Sequence, residues 1–357
     1  MRKRILLFSL CIALIMAMFA GCAQTIDDDA TPEFREISDM AGRTVTVPTE
    51  IHSVFSISAS GTIILYTIDP ELLIGVNYEF NDAEKEFILE EYRNLPAFGQ
   101  GGKINQEAII AEAPDICITY GTLSEADVSE AENFMDQTGI PVVMLDGSLS
   151  SAADTYRFLG KLLNTEERTE ELAVYAENAL EFAEAIDIPN SERISVYYGN
   201  GLESLETAPV GSPHAELLSL VDGINVASLE GEITSRIDIS AEQIISWNPE
   251  VIILNGEPTA NMSPIEAVNA FKNDKRYQNV DAVVNNRVFA IPKYPFSWFD
   301  RPPSINRLIG ISWLAAILYP EQVSVDIDRE ATEFYSLFYH MDITEKQLDT
   351  LLGISVE

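Results

Sequence analysis

The stretch Ile104–Gly121, INQEAIIAEAPDICITYG, recurs without a gap at Ile239–Gly256 as ISAEQIISWNPEVIILNG. Seven of the eighteen positions are identical, including the Glu, the Ile-Ile pair, the Pro and the closing Gly. Each copy opens on a polar residue, Asn105 or Ser240, of the kind that caps free N–H groups at a helix start. A short helical pattern follows and stops at Pro114 or Pro249, which cannot continue a helix and turns the chain into the next run. That run is apolar and ends in a glycine turn. A helix–strand unit repeated in this way predicts two similar halves.

Working outward, the alternation extends on both sides. Val54–Ile57, Leu73–Val76, Ile116–Thr119 and Val142–Leu145 read as strands in the first half; Ile194–Tyr198, Val251–Leu254 and Val288–Ile291 read as strands in the second. Helical patterns lie between them at Gly61–Ile68, Gln106–Ala113, Glu125–Thr138, Pro213–Val221, Ala241–Ser246, Ser304–Leu318 and Asp328–Tyr339. The fold class expected is α/β: two Rossmann-like lobes with mainly parallel sheets, joined by a single long α-helix. That helix is Thr165–Asp187, which holds no Gly or Pro, places Leu172, Tyr175, Ala176, Ala179 and Phe182 on one face, and spans ~35 Å. The other reading of it is a surface helix of the first lobe. The expected organisation is a signal segment over 1–21, a flexible tether over 22–35, a first lobe over 36–164, the linking helix over 165–188 and a second lobe over 189–357.

The chain has 357 residues and a formal net charge of −35. Such a balance argues against nonspecific binding to nucleic acid or anionic lipid, both of which need clustered Lys and Arg. Arg2, Lys3 and Arg4 precede the apolar run Ile5–Ala20, which is short for a membrane span. The run closes on Phe19-Ala20-Gly21-Cys22, which resembles the lipobox of bacterial lipoproteins, with Phe19 in place of the usual Leu. That resemblance implies cleavage before Cys22, lipidation of its thiol and an extracytoplasmic, membrane-anchored chain. Cys11 lies in the signal segment, so only Cys117 remains, inside the apolar run Ile116–Ile118, as a core thiol.

Ile37-Ser38-Asp39-Met40-Ala41-Gly42-Arg43-Thr44-Val45-Thr46-Val47-Pro48, the strand and helix of Ser53–Leu65, and the repeated "ExII…P(D/E)xxI" unit together resemble the class III substrate-binding proteins of ABC importers. The resemblance covers the whole mature chain. It implies a monomer that captures an iron complex (siderophore, haem or corrinoid) between two lobes and delivers it to a permease and its ATPase. A related branch takes oxoanions such as molybdate or tungstate. The resemblance also implies that the Glu of each repeat, Glu107 and Glu242, docks on the permease. The bland reading of both is a favourable acid in a helix first turn.

Ligands of α/β sheets bind beyond the carboxyl ends of the strands. That places Ser58, Ser60, Tyr78 and Tyr120 at the cleft in the first lobe, and Tyr198, Asn200, Ser212 and His214 in the second. Arg236 is a further cation candidate. The loop Tyr294–Ser304 is dense in aromatics and Pro, with Trp298 and Phe296 expected to stack on a bulky chelate and Arg301 to fork onto an anionic group. Alternatively, Trp298 and Phe299 pack over the lobe core. A single histidine in this region is too few for direct capture of a bare transition metal, so no metal site is expected. No nucleophile elbow, Walker loop or His-Glu-x-x-His helix is present, and no cofactor is expected. A surface-anchored α/β enzyme or adhesion module is the alternative of another class.

Overall fold

The computed structural model describes residues 33–228, 236–257 and 262–353. The expected signal segment and Cys22 lie outside the described residues. The expected tether runs too far: β1 (Phe34–Ser38) already pairs with β2 (Thr44–Pro48), Phe34 opposite Pro48. Asp39 closes this hairpin. Its carboxylate accepts from the backbone N–H of Ala41 and Arg43, and grips the Arg43 guanidinium at 2.7 and 2.9 Å. Asp39 also accepts from Met144 N–H, and Arg43 donates to the Val142 carbonyl, so the Asp-x-x-Gly-Arg motif pins the hairpin onto the first lobe.

The first sheet is parallel, in the order β3 (Val54–Ser56), β4 (Ile116–Gly121), β5 (Val142–Asp146). Its strands are covered on both faces, which is why they read as continuous apolar runs. Leu73–Val76 forms no strand, only single bridges from Leu73 to Val54 and from Val76 to Ala97. In the second half, β6 (Ser195–Gly199), β8 (Ile224–Asn225), β10 (Val251–Leu254) and β11 (Val288–Ala290) form a parallel sheet in the order β11-β10-β6-β8. A small antiparallel pair, β7 (Glu206–Thr207) and β9 (Ile237–Asp238), flanks it.

The sequence repeat is a structural repeat. Asn105 caps helix Gln106–Glu112 and Ser240 caps helix Ala241–Trp247. Both helices end on a left-handed residue, Ala113 at φ 49° and Asn248 at φ 45°, directly before the shared Pro. The acid after the Pro then ties two strands together. Asp115 accepts from the N–H groups of His52 and Ser53, and its own N–H donates to Ser53 Oγ at 3.0 Å. Glu250 accepts from Ser195 N–H and Oγ, and its N–H donates to Ser195 Oγ at 3.1 Å.

The long helix runs Glu166–Glu184 and buries Thr169, Leu172, Ala173 and Ala176. It packs on helices Ala152–Leu163 and Arg307–Leu318, so elements from both halves meet on it. The last helices do not stay with the second lobe, as a boundary of 189–357 would require. Helix Ile327–Tyr339 crosses back onto helix Ala59–Ile68, with the rings of Tyr339 and Tyr66 5.8 Å apart. Tyr335 meets Phe87 and Phe338 meets Tyr156 in the same layer. The apolar face of this amphipathic helix therefore finishes the core of the first lobe.

Candidate ligand-binding cleft

The carboxyl ends of the two sheets face each other, and three adjoining cavities of about 620, 420 and 400 Å³ lie between them. They meet along Ser60, Pro302, Pro303 and His214: Ser60 borders the first and third, His214 and Pro303 the first and second, Pro302 the second and third. Strand ends and helix starts build the walls, as expected for α/β sheets.

The 420 Å³ cavity collects cations. Arg236, Lys293, Arg301 and His214 line it from the second half; Tyr78, Glu84 and Gln100 line it from the first. Carboxylates hold the guanidiniums from behind. Arg236 Nε pairs with Glu206 Oε1 at 3.1 Å, and Arg301 Nη1 donates to Glu257 at 3.2 Å. Arg236 Nη1 is buried without a hydrogen-bond partner among the described residues, with Asp300 Oδ2 3.9 Å away as a countercharge. Lys293 reaches only the Asn255 carbonyl, at 3.5 Å, among the hydrogen bonds of the described residues. Burial pushes its ammonium down to about 8, with Glu84 opposing and Arg301 reinforcing the shift. Burial likewise raises the carboxyl of Glu84 and the phenol of Tyr78.

The 620 Å³ cavity has the opposite balance. Asp146 and Glu216 face it against Arg307, with Ser60, Thr122, Ser148 and Ser212 among the hydroxyls. Arg307 is almost fully buried and fully engaged: Nη1 donates to Glu216 at 2.7 Å, Nη2 to the Gly147 carbonyl at 3.2 Å and Nε to the Ser304 carbonyl at 3.2 Å. It thereby ties the two lobes. Tyr120 lines the same cavity with 3% of its surface exposed, and its hydroxyl has no hydrogen-bond partner among the described residues. Burial pushes that phenol up to about 12.

Most of the residues expected at the cleft are there, in different roles. Ser60, Tyr78, Tyr120, Ser212, His214, Arg236 and Arg301 line the two larger cavities. Ser60 donates to the Pro303 carbonyl at 2.9 Å across the seam, and Ser212 caps the turn at His214. Ser58 borders the 400 Å³ cavity, but its hydroxyl is used up: it donates to the Tyr120 carbonyl and accepts from Tyr120 and Gly61 N–H. Tyr198 and Asn200 are fully buried one layer behind the wall. The Tyr198 hydroxyl sits 2.9 Å from Asp300 and 3.0 Å from Asn200, and Asp300 accepts from His214 Nδ1 at 2.8 Å. These two residues position the Asp300–His214 pair and do not face the cavities.

Trp298 corrects the expectation of a stacking platform. It is 0% exposed, its indole N–H donates to the Tyr335 hydroxyl at 3.3 Å, and Phe299 is buried with it; Phe296, also buried, still borders the 420 Å³ cavity. Helices Arg307–Leu318 and Ile327–Tyr339 cover the loop, and Gly310 lies so close that a Cβ there would collide with the Trp298 backbone. Trp298 and Phe299 gain more from the core than a wet cleft offers. Glu107 and Glu242 lie far from the cavities, exposed at equivalent second positions of the two repeated helices. The backbone of Glu242 and the hydroxyl of Ser240 hold the Glu242 carboxyl below the usual range.

Lys293 and Arg307 escaped the sequence reading. Lys293 stands two positions after the predicted strand Val288–Ile291 in a chain poor in cations. Arg307 falls in the first turn of the helix predicted from Ser304, where the dipole disfavours a cation. Both signals were available.

A family model described as "Periplasmic binding protein" matches residues 76–295. An ABC transporter solute binding protein from Sulfurospirillum deleyianum is 30% identical, with a TM-score of 0.79, covering 89% of this chain and 99% of that one. The molybdate-binding protein MolA of Haemophilus influenzae is 23% identical over 334 residues, 85% of this chain and 91% of MolA. The solved structure of MolA with molybdate has a TM-score of 0.68, with 22% identity over 87% of this chain and 99% of that chain. A periplasmic haem-binding protein from Roseiflexus, RhuT, is 18% identical over 76% of this chain and 98% of that one, with a TM-score of 0.56. With two lobes, a helical spine and a cleft at the strand ends, the chain belongs to the periplasmic binding protein family in its class III form, and serves as the solute-binding component of an ABC transporter rather than as an enzyme.

Proposed function

We propose that the protein captures an oxoanion of the molybdate or tungstate kind in the 420 Å³ cavity and hands it to the permease. The observation that carries this reading is the convergence of Arg236, Lys293 and Arg301 on one cavity in a chain of net charge −35. Arg236 Nη1 and Lys293 are short of acceptors there, and a buried donor left unpaired is costly until a ligand pairs it. MolA, a relative across most of both chains, is named for molybdate. The burial of Trp298 takes the largest aromatic plane out of the wall and leaves Tyr78 and Phe296, which weakens the case for haem or a corrinoid.

The second reading is a ferric chelate with acidic donor groups. The extent of the cleft favours it, since cavities of about 620 and 420 Å³ adjoin at His214. Glu107 and Glu242 serve as paired docking charges for the permease, one per lobe, and give register more than affinity. The chain acts as a monomer held to the membrane through lipid on Cys22.

The test is a thermal-shift and calorimetric panel of molybdate, tungstate, sulfate and ferric chelates. A ligand at a hundred times its Kd stabilises the fold by about 2.7 kcal/mol. A shift with molybdate or tungstate that Arg236→Ala and Arg301→Ala abolish is the expected result. A shift with ferric chelates alone would favour the second reading, and no shift with any anion would reject both.

A further inference from the structure

The two copies of the repeated unit differ wherever both side chains reach solvent, with two exceptions. Of the seven identical positions, five are buried or half-buried: Ile104 with Ile239, Ile109 with Ile244, Pro114 with Pro249, Ile118 with Ile253 and Gly121 with Gly256. Packing accounts for those. The other two are Glu107 with Glu242 and Ile110 with Ile245, and all four side chains are exposed, Ile110 to 46% and Ile245 to 43%. Their exposed neighbours have diverged: Asn105 against Ser240, Ala111 against Ser246 and Ala113 against Asn248. In each helix the acid and the isoleucine stand three residues apart and share a face. The preceding isoleucine, Ile109 or Ile244, is fully buried and anchors the helix, so the fold has no use for the second one. One exposed isoleucine on a surface is ordinary. The same isoleucine beside the same acid in both lobes, where every other position exposed in both copies differs, points to a contact.

Resting on the docking role proposed for Glu107 and Glu242, we infer that Ile110 and Ile245 are the other half of that interface: each lobe offers the permease one acid and one isoleucine on a single helix face. The chemistry divides the work between them. An exposed carboxylate steers association and fixes register, while its ion pair at a wet rim holds little. An isoleucine that leaves water for an apolar pocket holds the complex together and slows its dissociation. The small residues beside each isoleucine, Ala111 and Ser246, let the partner approach closely. The receiving surface is thereby described: two like sites, each a basic side chain next to an apolar pocket, on a permease whose two membrane subunits present matching faces. Neither pair lines the cleft cavities, so this contact leaves the ligand site free.

Biolayer interferometry of the full chain on its cognate permease–ATPase complex in lipid nanodiscs, at low and at high salt, tests this. Ile110→Ser with Ile245→Ser is expected to weaken binding by about tenfold or more at both salts, through faster dissociation, with thermal unfolding of the free chain unchanged. Each single replacement is expected to carry a like share of the loss. Glu107→Gln with Glu242→Gln is expected to slow association, and to do so chiefly at low salt. Full affinity in the isoleucine variant with affinity lost in the glutamine variant overturns the inference and leaves the docking role of the acids standing. Full affinity in both variants overturns the two together. A loss confined to one lobe's isoleucine overturns the matched sites. A dimer of the free chain in native mass spectrometry that the isoleucine replacements turn into a monomer would assign the face to a second copy and overturn the inference as well.

Discussion

Replacing Lys293 with Met removes a charge from the anion-lining wall while keeping an unbranched stem. Burial brings the Lys293 ammonium down to about 8, with Glu84, Arg301 and Glu257 the charged groups around it. A group with that pKa goes from about nine-tenths charged at pH 7 to about one-tenth charged at pH 9. An anion favours the charged form, so affinity falls as pH rises through this window. If the charge is required, the fall is about tenfold, or about 1.4 kcal/mol. Glu84, whose carboxyl burial raises, is the neighbouring acid, and its replacement serves as the control. Titrating molybdate by calorimetry between pH 7 and pH 9 into the native chain, Lys293→Met and Glu84→Gln separates the two. The native chain and Glu84→Gln are expected to show the fall; Lys293→Met is expected to bind more weakly at pH 7 and to stay flat. Parallel profiles in the native chain and Lys293→Met, or affinity that rises with pH, would refute the assignment of Lys293 to the anion site.

Three other outcomes follow from the packing. Trp298→Ala empties a fully buried site and is expected to cost about 3–5 kcal/mol in denaturant unfolding while the folded protein keeps its ligand affinity; a loss of affinity at unchanged stability would return Trp298 to the cleft. Tyr120→Phe deletes a buried hydroxyl that has no partner among the described residues, and is expected to raise the stability of the ligand-free chain by about 1 kcal/mol or more; a clear drop would mean that the hydroxyl is satisfied within the protein. Reversing both charges, Glu107→Arg with Glu242→Arg, is expected to abolish uptake in cells and spare ligand binding in solution; unchanged uptake would sink the docking role.

The fold was legible because its strands are buried on both faces and its repeated unit carries its own punctuation. Val251–Leu254 and Glu125–Thr138 have the bounds that their patterns predict. Ile224–Asn225 and Glu206–Thr207 were not legible, since a strand of two residues has no period to read. Leu73–Val76 looked like a strand, but Gly75 is wedged against Phe98 and the chain leaves after isolated bridges. At the site, strand ends pointed to Ser60, Tyr120 and His214, and charge to Arg236. Composition could not tell Trp298 in a core from Trp298 in a cleft, because the helices that cover it, Arg307–Leu318 and Ile327–Tyr339, come later in the chain. Nor could it tell Tyr198, buried behind Asp300, from a tyrosine on the wall. Lys293 stood out only once charge was weighed against place.

The account turns on where an oxoanion settles. Crystals grown with tungstate, measured at the tungsten absorption edge, locate the metal without prior phases from the ligand. The expected result is one anomalous peak between Arg236, Lys293 and Arg301, with oxygens in hydrogen-bond reach of Arg236 Nη1 and Lys293 Nζ. A peak elsewhere in the cleft, or a protein that holds no tungsten when saturated, would contradict it.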